Sequence, residues 1–167
     1  DSSTATVTIT TSNVDNTPAA ANGTLTATED TTTTGTLLGT DPDSDPLTYS
    51  VVQQASKGTL TITNASTGAF TYVPNANQSG RDAFSYKVND GSQDSNIAVV
   101  TMTITAVNDA PVAASGTLRI NEDTAASTHL LGTDVEGDSL TYSIVSNGSL
   151  GTAAITNAAN GAFTYTP

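Results

Sequence analysis

The chain has 167 residues, 36% of them hydrophobic and 5% aromatic, with no Cys and no Trp. Its 16 acids against 4 bases leave a net charge of −12, which argues against binding nucleic acid phosphates or an anionic membrane surface. The missing Cys excludes disulfides and thiol chemistry, and no apolar run is long enough to suggest membrane insertion.

In chain order, Ala5-Thr6-Val7-Thr8-Ile9-Thr10 comes first and alternates apolar with polar side chains, the period of a half-buried strand. Val14-Asp15-Asn16-Thr17-Pro18 then breaks the pattern, and Pro18 stiffens a short linker by fixing its own φ. Alternation returns in residues 47–51, 60–63, 70–72, 84–88 and 100–105. Between these runs lie clusters of Gly, Pro, Asn and Asp at 41–46, 64–68, 74–80 and 89–91, which is turn chemistry. No segment carries the period of an amphipathic helix. About seven short strands separated by turns predict an antiparallel β-sandwich.

The pattern then starts again. Residues 1–74 laid on 94–167 agree at roughly 40 of 74 positions without a gap, a period of 93 residues. Leu37-Leu38-Gly39-Thr40-Asp41 returns as Leu130-Leu131-Gly132-Thr133-Asp134, and Gly68-Ala69-Phe70-Thr71-Tyr72 as Gly161-Ala162-Phe163-Thr164-Tyr165. A period of this length is close to the roughly 100 residues of an immunoglobulin-like sandwich and predicts tandem modules. Residues 1–15 read as the last strand of a preceding repeat and 16–107 as a complete one. Residues 108–167 read as a following repeat without counterparts of its last two strands, those at 84–88 and 100–105.

The acids gather in recurring groups: Glu29-Asp30, the loop with Asp41, Asp43 and Asp45, Asp90, and Asn108-Asp109. The second repeat carries Glu122-Asp123 and a loop with Asp134, Glu136 and Asp138. Between the copies of the loop the spacers change (Pro42 to Val135, Ser44 to Gly137) while its three carboxylates stay. Turn propensity alone accounts for Asp in loops. Yet several carboxylates on one loop repel one another unless a cation joins them, and Ca²⁺ takes six to eight oxygens of this kind. Only Lys57, Arg81, Lys87 and Arg119 offer compensating charge. Calcium is therefore the expected ligand.

The ordered set Val-Asn-Asp-Ala-Pro at 107–111, Glu-Asp-Thr at 29–31 and 122–124, Leu-Leu-Gly-Thr-Asp at 37–41 and 130–134, and Phe-Ser-Tyr at 84–86 resembles the bacterial cadherin-like, VCBS-type tandem repeat of giant surface adhesins. The resemblance implies extracellular, cell-surface sandwiches in long arrays, with neighbouring copies as partners and calcium stiffening the joints. Carried over by position, it groups Glu29 and Asp30 with Asp41, Asp43, Asp45, Asp90, Asn108 and Asp109. At the next joint it groups Glu122, Asp134, Glu136 and Asp138 with Asn108 and Asp109, and Asp123 stands beside Glu122 as Asp30 does beside Glu29. The first joint departs from the pattern, since Val14-Asp15-Asn16 reverses the Asn-Asp order.

No catalytic constellation stands out. His129 is the one His, and its counterpart is Thr36. Glycoside hydrolysis needs paired carboxylates, but sugar-stacking aromatics are few. The expectation is a non-enzymatic spacer and cell-adhesion module, with a filament completed by strand exchange between copies as the alternative.

Overall fold

The computed structural model describes residues 1, 3–12 and 14–167. These form two units, Asp1–Ala106 and Val107–Pro167. In the first, the strands are β1 (Ala19–Ala20), β2 (Gly23–Thr28), β3 (Thr33–Thr36), β4 (Gly39–Thr40), β5 (Thr48–Gln53), β6 (Gly58–Asn64), β7 (Ala69–Pro74), β8 (Gly80–Asn89) and β9 (Ala98–Thr105). They build a four-stranded sheet in the order β2-β9-β8-β5, a three-stranded sheet β3-β7-β6, and the short pair β1-β4.

Alternation decides which face is core. In β9, Ala98, Val100, Met102 and Ile104 are buried while Val99, Thr101, Thr103 and Thr105 are exposed. The two sheets meet through Leu37, Leu60, Phe70, Tyr72, Phe84, Tyr86 and Val88. Phe70 and Phe84 pack edge to face at 5.6 Å, and Tyr49 stacks on Tyr86 at 6.3 Å. Burying each large apolar side chain contributes about 1.5–3 kcal/mol, so this small set carries most of the cohesion of a chain so poor in aromatics.

The ladders are antiparallel except that β2 runs parallel to β9, from Gly23↔Val100 to Thr28↔Thr105. Alternation cannot reveal strand direction. The physical reason is connectivity: this unit's first long strand and its last both start at one pole and finish at the other.

Three polar brackets fix the frame. The Tyr86 hydroxyl lies 2.6 Å from the Ala21 carbonyl and 2.7 Å from that of Leu38. The Asn96 amide grips both the N–H and the carbonyl of Ala20. Asp82 on β8 accepts bonds from Ser56 N (3.0 Å), Ser56 Oγ (2.9 Å), Lys57 N (2.8 Å), Ala83 N (2.9 Å) and the Tyr72 hydroxyl (3.1 Å), tying the turn before β6 to β7 and β8.

The second unit contains β10 (Val112–Ala114), β11 (Ala126–His129), β12 (Leu131–Thr133), β13 (Thr152–Asn157) and β14 (Ala162–Thr166). They pair as β10-β12 and β11-β14-β13. Each sits 93 residues after β1, β3, β4, β6 or β7, give or take one residue at its ends. The counterparts of β2 and β5, residues 116–121 and 141–146, are not strands. In the first unit β2 is laddered by β9 and β5 by β8; the 167 residues hold no second copy of either partner. Val145 is accordingly 97% exposed and Leu118 42%. For the same reason residues 5–10, which repeat the sequence of β9, form no strand, and Val7 and Ile9 are 82% and 83% exposed. The alternation there is a strand pattern without a neighbour to pair with.

Candidate metal centre

The loop after β4 is folded by its own carboxylates. Asp41 Oδ1 accepts the N–H groups of Asp43 (2.8 Å) and Asp45 (3.1 Å), while the Asp41 carbonyl accepts that of Ser44 at 3.3 Å. This is an Asx-type turn, the reason Asp begins such loops. Ser44 sits at φ 66°, in the left-handed region. The second oxygen of Asp41, Oδ2, is buried and receives no hydrogen bond.

Asp90, just past β8, is used in the same divided way. Its Oδ1 accepts the N–H groups of Ser92 and Gln93, both at 2.7 Å, and its Oδ2 is buried without a donor. Gln93 then reaches across to Asp15, its Nε2 lying 2.9 Å from Oδ2. Asn16 binds Asp43 through both its backbone N–H (2.7 Å) and its side-chain amide. These contacts draw the linker, the 41–45 loop and the 90–93 turn to one pole. There, carboxylate oxygens of Asp15, Asp43 and Asp45 all lie within 4.8 Å of one another. Desolvation, followed by the negative charges of Asp41, Asp15, Asp43 and Asp90, pushes the Asp45 carboxyl above the ordinary carboxylate range. Lys87 does not relieve this crowding, being paired with Asp94, which its bond and that of Asn89 hold below the usual range.

The second unit repeats the hydrogen bonds of the 41–45 loop 93 residues on. Asp134 Oδ1 accepts Glu136 N at 3.1 Å and Asp138 N at 3.0 Å, and Gly137 N bonds the Asp134 carbonyl at 3.3 Å. Gly137 stands at φ 79° where the first loop strains Ser44. Asp109 N donates to Glu136 Oε2 at 3.0 Å, as Asn16 N does to Asp43. Asn108 turns its amide onto the Asp109 carbonyl at 3.0 Å.

The acids at the start of the β2–β3 connection lie elsewhere. Glu29 is buried beside the end of β9, its N–H on the Thr105 carbonyl at 3.0 Å. Asp30, at φ 57°, accepts Asn77 N at 3.4 Å. Gly80, at the start of β8, pairs with Ile104 next to this end, whereas Asp90 follows the end of β8. Ten residues of strand separate the two places, roughly 30 Å at 3.3 Å per residue. The grouping of Glu29 and Asp30 with Asp41, Asp43, Asp45 and Asp90 is therefore corrected: one unit carries acids at two opposite poles. In the second unit Asp123 repeats the left-handed geometry at φ 58°, while Glu122, the counterpart of buried Glu29, is exposed because its neighbouring ladder is missing. Asp15 is the member that sequence reasoning left out of the ligand set; the reversed Asn-Asp order obscured that position 15 still supplies a carboxylate.

A model of the bacterial Ig domain matches residues 15–103 and, again, residues 108–167. The chain belongs to the bacterial Ig domain family. None of the curated proteins matches it. Among solved structures, this pair of bacterial Ig repeats is similar to mouse cadherin-23 EC22-24, with a TM-score of 0.57 and 22% identity over 92% of this chain and 55% of that one. It is similar to human protocadherin-24 EC1-2 (TM-score 0.52, 15% identity, 92% of this chain and 79% of that one). A variant of the endo-fucoidan hydrolase MfFcnA4 from glycoside hydrolase family 107 also matches, at 0.50 and 23% identity, over 90% of this chain but 24% of its own. The chain thus spans about a quarter of that hydrolase and about half of the cadherin-23 fragment. At these identities the likeness is one of fold: an all-β, immunoglobulin- and cadherin-like sandwich. No helix of the described residues is long and apolar enough to cross a membrane.

Proposed function

We propose that this chain is a non-enzymatic, extracellular spacer of a bacterial surface adhesin or fibre, and that calcium binds at the acidic pole of each repeat. The observation that carries the reading is the recurrence, 93 residues apart, of one loop geometry in which the first Asp spends one oxygen on the fold. In the first repeat the other oxygen of that Asp is buried without a donor. A buried carboxylate oxygen left without a partner is costly, and a hard cation is the partner such an oxygen suits.

The donor set fits. Asp15, Asp41, Asp43, Asp45 and Asp90 would hold the ion in the first repeat, and Asn108, Asp109, Asp134, Glu136 and Asp138 in the second. Bound calcium would supply positive charge where carboxylates now repel. The loops themselves are already shaped by backbone bonds, so the residues need little rearrangement to bind. Neighbouring repeats are the expected partners, and calcium would stiffen the array.

Thermal unfolding with and without a chelator tests this. At a calcium concentration about 100 times Kd, binding to the native state alone adds about 2.7 kcal/mol. A melting temperature that is unchanged by calcium at millimolar concentration removes the calcium part of the proposal. Scattering under the same two conditions tests the stiffening; an unchanged maximum dimension would sink it.

A further inference from the structure

Residues 15–17 are tied to the body of the first unit at two places. One is the pair of bonds from Asn16 to Asp43. The other is Gln93. Thr17 Oγ1 donates to Gln93 Oε1 at 2.8 Å, and Gln93 Nε2 lies 2.9 Å from Asp15 Oδ2 and 3.3 Å from the Asp15 carbonyl. The Gln93 N–H donates to Asp90 Oδ1 at 2.7 Å, and its carbonyl accepts Asp90 N at 3.3 Å. Gln93 is half-buried, with its side chain given to the linker and its backbone to the turn of Asp90. We propose that Gln93 is a positioning residue: it clasps the linker to that turn, brings the Asp15 carboxylate to the cation pole, and so couples cation binding to the order of the linker. The coupling rests on the calcium reading above; the clasp itself needs no ion.

The residue type follows from electrostatics. Carboxylate oxygens of Asp43 and Asp45 lie within 4.8 Å of one on Asp15, so docking the linker brings like charges together. A donor must offset that repulsion without neutralising Asp15, because a Lys in this place would compete with the cation. A carboxamide donates from its nitrogen and accepts at its oxygen, and Gln93 does both at once. It takes one oxygen of Asp15, as backbone N–H groups take one oxygen each of Asp41 and Asp90. Each of the three acids keeps its second oxygen outside this set of bonds.

Docking and binding then favour each other. The cation relieves the repulsion that opposes docking, and docking supplies Asp15 as a ligand; such coupling is reciprocal. Sequence reasoning passed over Gln93 because it carries no charge.

Two substitutions test the clasp in the full chain. Gln93→Ala removes the side chain and keeps the backbone bonds to Asp90. Gln93→Glu keeps the size and the acceptor for Thr17 but sets a carboxylate against Asp15. Calcium affinity at the first repeat is read from the amide shifts of residues 41–45, which separates it from the second repeat. Losing a residue that orients a metal ligand costs tenfold or more in affinity, so both variants should bind calcium there about tenfold more weakly. Asp15→Ala should do the same. Adding Gln93→Ala to Asp15→Ala should cost nothing further, because the clasp acts only through Asp15. Additive losses would mean that Gln93 merely shapes the Asp90 turn, and would overturn the proposal. In chelator, backbone order parameters at residues 15–17 should fall toward about 0.6 in either Gln93 variant, and in the parent calcium should raise them. Unchanged order in the variants would mean that Asn16 alone holds the linker, and would likewise overturn the clasp. If the parent binds no calcium, the calcium reading fails and the coupling with it, while relaxation in chelator still decides whether Gln93 docks the linker.

Discussion

Replacing Asp41 by Asn separates the two tasks assigned to this residue. Asn keeps the Oδ1 that accepts the N–H groups of Asp43 and Asp45 at 2.8 and 3.1 Å, so the loop retains its shape. It loses the charge, and it puts an amide nitrogen where the buried Oδ2 lacks a donor. In chelator the substitution removes one of a group of like charges, a relief of about 1 kcal/mol for a pair about 4 Å apart in water. For a sandwich of this size that raises the melting temperature by about 4–8 °C. In calcium the substitution deletes a ligand. A tenfold loss of affinity, about 1.4 kcal/mol, outweighs the relief, and the variant should melt below the parent. The assay is a pair of melting curves, with the calcium affinity measured by titration calorimetry. A shift of the same sign and size in both media would mean that Asp41 only builds a turn, and the reasoning about its second oxygen would be wrong.

Further expectations concern the frame and its acids. Asp82→Ala strips several bonds from a carboxylate and should cost about 3 kcal/mol in urea unfolding. Burial pushes Asp82 up, but its bonds from Ser56, Lys57 and Ala83 outweigh this and leave it below the ordinary range. Its contribution is therefore present above the unfolded pKa and lost as pH falls through the folded one, so the parent should lose more stability on acidification than Asp82→Asn does. Asp45 has the opposite sign: its carboxyl is raised, so in chelator stability should fall as pH rises from about 4, and Asp45→Asn should flatten that part of the pH profile. Gly58→Ala would place a methyl 2.6 Å from the Tyr72 ring and from the Val73 carbonyl; crowding of this order costs about 3 kcal/mol, visible as an earlier urea midpoint.

How much of this the sequence disclosed depends on whether local pattern or long-range pairing decides a feature. Phe70-Thr71-Tyr72 and residues 100–105 alternate and are strands with the expected faces inward. Thr141-Tyr142-Ser143-Ile144-Val145 alternates just as well and is not a strand, because β8, which ladders its counterpart β5, has no second copy here. The parallel run of β2 along β9 was illegible for the same reason: alternation carries a period and no direction. Direction also decided the fate of Glu29. As a residue type it is as good a calcium ligand as Asp41, and only the course of β2 to the far end of β9 removes it from the loop. Asp15 went the other way. Its neighbours suggested a broken motif, yet bonds from Gln93 to Asp15 and from Asn16 to Asp43 bring it to the pole.

The central claim is that cation binding belongs to the pole holding Asp15, Asp41, Asp43, Asp45 and Asp90, and to its copy in the second repeat. Titrating calcium into isotopically labelled chain while following backbone amide resonances tests it residue by residue. Saturable shifts are expected at residues 15–17, 41–45 and 90–93, and at 108–109 and 134–138, with Glu29 and Asp30 left in place. Saturable shifts confined to Glu29 and Asp30, or no saturable shift at either loop, would contradict the account.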